Sequence, residues 1–327
     1  MPFQAIGTMS PFPLECRADL RRSVIKAVHK RMPVMSKVMG EVTSVDHLIL
    51  VVRDLGQAEE NYTRILGRAP SWRGTHPGMG TANVLYRLAN TYVELLAPVG
   101  DGPNAVALTR HLDQNGEGLF GLALAVADAD KAVAAFRARG LEAGDPVDGA
   151  GKDDVTGATR RWRSCAFPGG AARGLFVFAI QHLDPTDALP PAPLRPGVPE
   201  AEAVAACDHV VVMTADAEAC KSFFGDKLGL RLALDHSKPE WGVRQLFFRV
   251  GGLTIEVVEP LDTARAPKAD HFWGLAWKVG KVGPVVARLA AAGHDVSDAK
   301  PGRKQGTEVA TIRPPTNGVP TILVGPA

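Results

Sequence analysis

Beyond residue 40 the chain alternates short apolar runs with longer stretches of helical spacing, and it does so twice in the same order. Asp46-His47 opens an alternating run, LILVV, which reads as a strand. The stretch LGQAEENYTRILG then carries its apolar positions at helical spacing, and TYVELLAP reads as a later strand. Asp208-His209 opens the same series with VVVM, a helical stretch around AEACKSFFGDKLG, and LTIEVVEP. The offset from His47 to His209 is 162, and it carries Tyr62 onto Phe224, Gly67 onto Gly229, Arg87 onto Arg249, Glu94 onto Glu256 and Pro98 onto Pro260. So many matches without a gap mark an internal repeat.

A second pair of segments also corresponds: FGLALAV and FRARG within 120–140 answer to WGLAWKV and LAAAG within 273–293. Each reads as strand, helix, then strands, with Gly140 or Gly293 stopping the helix. The expected fold is therefore α+β: four βαβββ modules forming two barrel-like curved mixed sheets with helices outside. The strands after each helix follow one another as in a meander, and no G-x-G-x-x-G opens a helix, so a doubly wound nucleotide fold is not indicated. Residues 184–206 hold six prolines, Pro185, Pro190, Pro191, Pro193, Pro196 and Pro199, and read as a linker. That places one domain at 41–183 and the other at 207–327. Residues 1–40 form a basic N-terminal extension with Arg17, Arg21, Arg22, Lys26, Lys30 and Arg31, and it has no apolar core of signal-peptide kind.

Composition narrows the function classes. Hydrophobic residues make up 46% and charged residues 22% of the 327, as in ordinary globular proteins, and the net charge of +2 offers no concentrated stripe for a nucleic-acid partner. No apolar run is long enough to cross a bilayer. The four cysteines, Cys16, Cys165, Cys207 and Cys220, contain no Cys-x-x-Cys pair and suit a reducing, cytoplasmic setting. A small-molecule partner is expected, and a homodimer is compatible with the composition.

The candidate chemistry lies on the repeated strands. Period-two alternation puts His47 on one face with Ile49 and Val51, and Glu94 on one face with Tyr92 and Leu96. A carboxylate inside an apolar strand is costly to bury unless it is paired, protonated or bound to a cation. Imidazole and carboxylate are also ligands that zinc, iron, manganese or nickel accept. The pair recurs as His209 and Glu256. The alternative is structural, each histidine donating to its glutamate within the core. Weaker candidates are His76 in a Gly/Pro loop, which could bring an imidazole over a cleft, and Arg303 and Lys304 in PGRKQGT, which could hold an anionic group. Trp72, Trp162, Trp241, Trp273 and Trp277 could line an aromatic cleft or simply pack.

An Asp-His opening the first strand and a Glu centred in the last strand of a βαβββ module resemble the vicinal-oxygen-chelate superfamily, which includes glyoxalases, epimerases, extradiol dioxygenases and bleomycin-binding proteins. The segment 76–98 is similar to a glyoxalase-like domain, and the resemblance covers about 44–183 and 205–325. It implies a divalent metal (Zn, Fe, Mn or Ni) in the cleft of each barrel, held by His47 and Glu94 in the first half and by His209 and Glu256 in the second, with Glu94 or Glu256 as ligand or base and His76, Arg303, Lys304 and Trp273 near the substrate. The chain departs from that pattern at Gly121, Phe178, Gly274 and Ile322, which stand where the even modules would supply ligands. If neighbouring modules pair, each barrel keeps half a ligand set, with His76 or His271 as the nearest supplement. If module one pairs with module three, the four residues make one site. The leading expectation is a metal-dependent lyase, isomerase or dioxygenase. Alternatives are a binding protein that sequesters a small molecule and a structural protein with degenerate sites.

Overall fold

The computed structural model describes residues 41–76 and 78–327. The N-terminal extension, Cys16 and Pro77 lie outside the described residues. The first half runs β1 (Val42–Val51), α1 (Leu55–Leu66), β2 (Trp72–His76), β3 (Thr81–Arg87), β4 (Tyr92–Pro98), α2 (Pro103–Asn115), β5 (Gly118–Val126), α3 (Ala129–Ala138), β6 (Val147–Asp153), β7 (Thr159–Ala166) and β8 (Phe176–His182). The second runs β9 (Val204–Met213), α4 (Ala217–Lys221), β10 (Arg231–Lys238), β11 (Val243–Val250), β12 (Leu253–Pro260), β13 (His271–Val279), α5 (Val282–Ala291), β14 (Lys300–Pro301), β15 (Thr307–Ile312) and β16 (Thr321–Pro326). The four-module order stands, with α2 added between the first two modules.

Neighbouring modules pair. The first eight strands close into a barrel in the order β1-β4-β3-β2-β6-β7-β8-β5, and the last eight form a curved sheet in the order β10-β11-β12-β9-β13-β16-β15-β14. His47 and His209 therefore serve separate sheets, and the single site that a pairing of modules one and three would build does not form.

Aspartates start three of the helices by the same device. Asp54, Asp128 and Asp216 accept from the backbone N–H of Gln57, Lys131 and Ala219, at 2.9, 3.0 and 2.9 Å, satisfying donors that the first turn leaves free. α1 ends at Gly67, in the left-handed region at φ 66°. In the third module the helical stretch is α-helical only to Lys221 and then widens into a π turn over Ser222–Lys227, where the Leu228 N–H reaches the Phe223 carbonyl at 3.0 Å. The wider turn lets the adjacent Phe223 and Phe224 both face the core.

Each half pins the other at a helix end. The Arg288 guanidinium donates to the carbonyls of Arg64 and Ile65, at the C-terminus of α1, and Arg139 donates at 2.8 Å to the Lys227 carbonyl, at the corresponding end in the second half. A cation at a helix C-terminus meets unpaired carbonyls and the negative end of the helix dipole. Asn90 adds a side-chain imitation of strand pairing, donating to the Cys207 carbonyl at 2.8 Å and accepting from the Cys207 N–H at 3.1 Å. Among the described residues no helix is long and apolar enough to cross a membrane, and Cys165, Cys207 and Cys220 are free and buried.

Candidate active site

β1 and β4 are parallel neighbours in a register that pairs His47 with Tyr92 and Ile49 with Glu94. His47 and Glu94 thus share the inward face of the barrel, and the His47 Nε2 stands 3.5 Å from the Glu94 Oε2. On the far side of the imidazole, Nδ1 lies 2.7 Å from the Asp46 carboxylate, whose other oxygen lies 2.9 Å from the Nε2 of His182. Burial alone would raise the Asp46 carboxyl, but its hydrogen bonds from His182 and His47 outweigh that and hold it well below the usual carboxylate range. An ionised Asp46 can only accept, so His47 donates to it from Nδ1 and turns Nε2 toward Glu94. The Tyr92 ring stacks on the imidazole at 4.5 Å between centroids, and Phe178 meets it edge-on at 5.6 Å. Burial, reinforced by the nearby Asp46 charge, pushes the Tyr92 hydroxyl far above its usual range and keeps it neutral.

Glu94 is 8% exposed, and one of its oxygens is already bonded: the Asn83 amide on β3 donates to Oε1 at 2.7 Å. That leaves Oε2 as the oxygen with capacity to spare. His76 closes the end of β2, bonded through Nδ1 to Thr81 at 2.8 Å, with Nε2 beside the Asn83 amide at 3.4 Å. The Asn83 carbonyl oxygen is buried without a donor. All these groups except Asp46 and His182 line a cavity of about 520 Å³, walled by Trp72, Trp162, Tyr92, Phe176 and Phe178. Its volume lies within the common range of small-molecule sites.

The second half repeats the constellation on the open sheet, with the His209 and Glu256 side chains still largely shielded. The His209 Nε2 lies 3.5 Å from the Glu256 Oε2, and its Nδ1 lies 2.9 Å from Asp208. Gln245 donates to the Glu256 Oε1, as Asn83 does to Glu94. Asp208 is lowered by its hydrogen bond from His209, against burial, and its side chain is 41% exposed where that of Asp46 is 10%. The remaining candidates do not join either constellation. Arg303 lies over the Trp241 ring at 3.9 Å, Lys304 is exposed near it in sequence, and Trp273 is exposed on β13. Trp277 is core, whereas Trp72 and Trp162 line the cavity.

Asn83, Gln245, His182 and Arg160 were not singled out from the sequence. The first two carried a signal, because the offset of 162 superimposes NVLYR on QLFFR and sets one side-chain amide on the other. His182 and Arg160 carried none, since only the pairing of distant strands sets His182 beside Asp46 and Arg160 beside Tyr92.

The divalent metal that the resemblance implies can be tested against the donors present. A catalytic metal ordinarily takes three protein ligands and keeps one position open. His47 and Glu94 supply two. Gly121 has no side chain, the Phe178 ring occupies the place of the other ligand, and His76 is tied to Thr81 beyond Asn83. Among the described residues no three His, Cys, Asp or Glu side chains converge on a metal position, so the donor set does not fit one as it stands.

Comparison with known proteins agrees with this architecture. The Glyoxalase-like domain family matches residues 45–202, and the Glyoxalase/Bleomycin resistance protein/Dioxygenase superfamily matches residues 208–311. The chain belongs to that superfamily. Similar solved structures include a mutant of 4-hydroxymandelate synthase from Streptomyces coelicolor, 16% identical, with a TM-score of 0.62 over 88% of this chain and 93% of that one. A Mn(II)-bound glyoxalase from Novosphingobium aromaticivorans is 15% identical, with a TM-score of 0.58 over 88% of this chain and 83% of that one. At such identities the likeness is one of fold. No curated protein matches the chain in sequence.

Proposed function

We propose that this protein is a glyoxalase-like enzyme, a lyase or isomerase, that works in the cavity of the first barrel on a small oxygenated organic molecule. Glu94 takes and returns a proton at a carbon next to a carbonyl group. The observation that carries the reading is the pairing of a carboxylate oxygen with spare capacity, Glu94 Oε2, with an imidazole nitrogen 3.5 Å away, inside a cavity of about 520 Å³. A proton gained by Oε2 lies beside the His47 Nε2, and Asp46, backed by His182, stabilises the imidazolium that forms if the proton moves on. Asn83 fixes the carboxylate, and its undonated carbonyl oxygen suits a substrate hydroxyl.

The experiment is proton exchange in D2O, followed by NMR over a panel of small aldehydes, ketones and 2-hydroxycarbonyl compounds. Wild type exchanges the carbon-bound proton of at least one of them, and Glu94→Gln does not. No exchange or turnover with any member, together with ligand binding that Glu94→Gln leaves intact, selects the second reading, a protein that sequesters its ligand. Gly121 and Phe178, in place of ligating side chains, favour that second reading. Adding Zn, Fe, Mn or Ni salts is the companion arm, since tight stoichiometric uptake lost in His47→Ala would restore a metal to the mechanism.

A further inference from the structure

Arg160 lies on β7 with its side chain toward the barrel interior, in the alternating set that includes Trp162 and Ser164. It is 8% exposed, yet no carboxylate among the described residues stands within ion-pair distance of its guanidinium. Its neighbours on the strand differ: Arg161 pairs with Asp184 at 2.7 Å, and Arg163 pairs with Asp130. Arg87, which borders the same region, is bonded to the carbonyls of Thr186 and Leu189. Arg160 is flanked by aromatic rings, 5.4 Å from the Tyr92 centroid and 5.7 Å from that of Trp72. Ring faces hold a guanidinium in place without neutralising it. A cation buried to this degree is normally paired, because desolvation penalises an isolated charge heavily.

Arg160 borders the main cavity and also a second one of about 350 Å³, lined by Asp46, His182 and Asp184. Asp184 is committed to Arg161, and Asp46 to its two histidines. Among the residues lining the main cavity Arg160 is the one arginine or lysine, and the carboxylates there are Glu94 and Asp148. The wall beside it is flat and apolar. The Trp162 indole lies against β6 so closely that a Cβ on Gly149 would fall 2.3 Å from its Nε1.

We propose that Arg160 is an anion subsite that receives the carboxylate of a substrate whose body is a flat, one- or two-ring apolar group held between the cavity's aromatic walls. The proposal deepens the reading given above by naming a substrate class for the same cavity: an aryl-bearing carboxylic acid that places its acid group at Arg160 and its reacting carbon toward Glu94. A planar guanidinium offers a carboxylate two parallel N–H donors, and exclusion of water strengthens that pair.

The test is calorimetric titration of the full chain with 2-naphthoate and with its neutral amide, 2-naphthamide, repeated on Arg160→Met and Arg160→Lys. Wild type binds the acid at least about 10-fold more tightly than the amide, as expected for a charge-assisted hydrogen bond to a carboxylate. Arg160→Met loses the preference, and Arg160→Lys keeps part of it. Equal affinity of wild type for acid and amide, a preference that survives in a folded Arg160→Met, or no binding of either compound at millimolar concentration overturns the proposal. Should Arg160→Met unfold, the comparison of acid with amide on wild type and Arg160→Lys decides alone. Loss of proton exchange across the carbonyl panel would defeat the enzyme reading without touching this result, because binding is read without turnover.

Discussion

The two halves carry a histidine, a glutamate and a side-chain amide at the same spacing, and only the first closes its sheet into a barrel. In the first half β2 pairs with β6, Gly74 opposite Asp153 and Thr75 opposite Lys152, and the barrel closes. The buried Asp153 carboxylate secures the seam, accepting from the N–H of Arg73 and of Thr156, each at 2.9 Å. In the second half β14 is two residues long, and Pro301 has no N–H to offer a ladder, so β10 stays an edge. That edge is braced by charge instead. Asp235 accepts from Lys221 at 3.0 Å and from Arg244 at 2.9 Å, and Arg244 also reaches Glu218. The contrast teaches that matched side chains, Asn83 in one half answering to Gln245 in the other, meet different surroundings according to whether their sheet closes.

The sharpest way to break the comparison is to exchange the glutamates' fates. Glu94→Gln is expected to lower the exchange rate by about 10²- to 10⁴-fold, the usual worth of a positioned general base, while Glu256→Gln leaves it near wild type. Equal losses would mean that both halves work.

The seam comes next. A Cβ on Gly74 would lie 2.5 Å from the Lys152 carbonyl oxygen and 2.5 Å from the Trp72 Nε1, so Gly74→Val must push β6 away. Overpacking of this kind costs about 1–3 kcal/mol, visible as a lower Tm and faster amide exchange along β6. The offset of 162 sets His236 on the same position of the edge strand β10, where a large side chain is accommodated. His236→Gly is expected to change Tm little.

Asp46→Asn against Asp208→Asn probes burial. The first breaks charge-assisted hydrogen bonds to two histidines and is expected to cost about 1.5–3 kcal/mol at neutral pH, and the second, partly exposed, about 0–1 kcal/mol. The sign with pH follows from the depressed Asp46 carboxyl. Its contribution is complete above the unfolded-state value of about 4 and is lost as pH falls below that toward the lower folded-state value. Urea midpoints of wild type and Asp46→Asn should therefore converge between pH 5 and acid conditions.

The smallest effect belongs to the open edge. Hydrogen bonding to Arg244 lowers the Asp235 carboxyl to about 2, so Asp235→Asn removes stability that wild type retains from neutral pH down through about 4 and loses on approach to about 2. Solvent at this site screens the pairs, which limits the cost to about 1 kcal/mol, read as fraying of β10 by amide exchange.

The repeat was legible because it is written in local terms. Period-two and helical spacing, the aspartates before the helices and the glycines after them recur at a fixed offset, and each depends on residues a few positions apart. Gly140 and Gly293 do stop α3 and α5, at φ 76° and 82°. The π turn at Ser222–Lys227 was not legible, since adjacent phenylalanines in a helical stretch show no sign of which one will yield. Within the site, His47 and Glu94 could be nominated from their strands. Asn83 lay unread in the repeat, and Arg160 looked like one more arginine in the run Arg160-Arg161, whose exposed member is the next one along.

By itself the sequence determined the modules, their order and the matched His/Glu pairs, because alternation and capping are properties of neighbouring residues. Tertiary structure alone decided which modules join, that one sheet closes while the other keeps an edge, and that Arg160 is buried beside aromatic rings without a carboxylate. Closure of the first sheet depends on whether β2 and β6, nearly 80 residues apart, can approach closely enough to bond. A single glycine, Gly74, makes room for that approach, and no local pattern announces it.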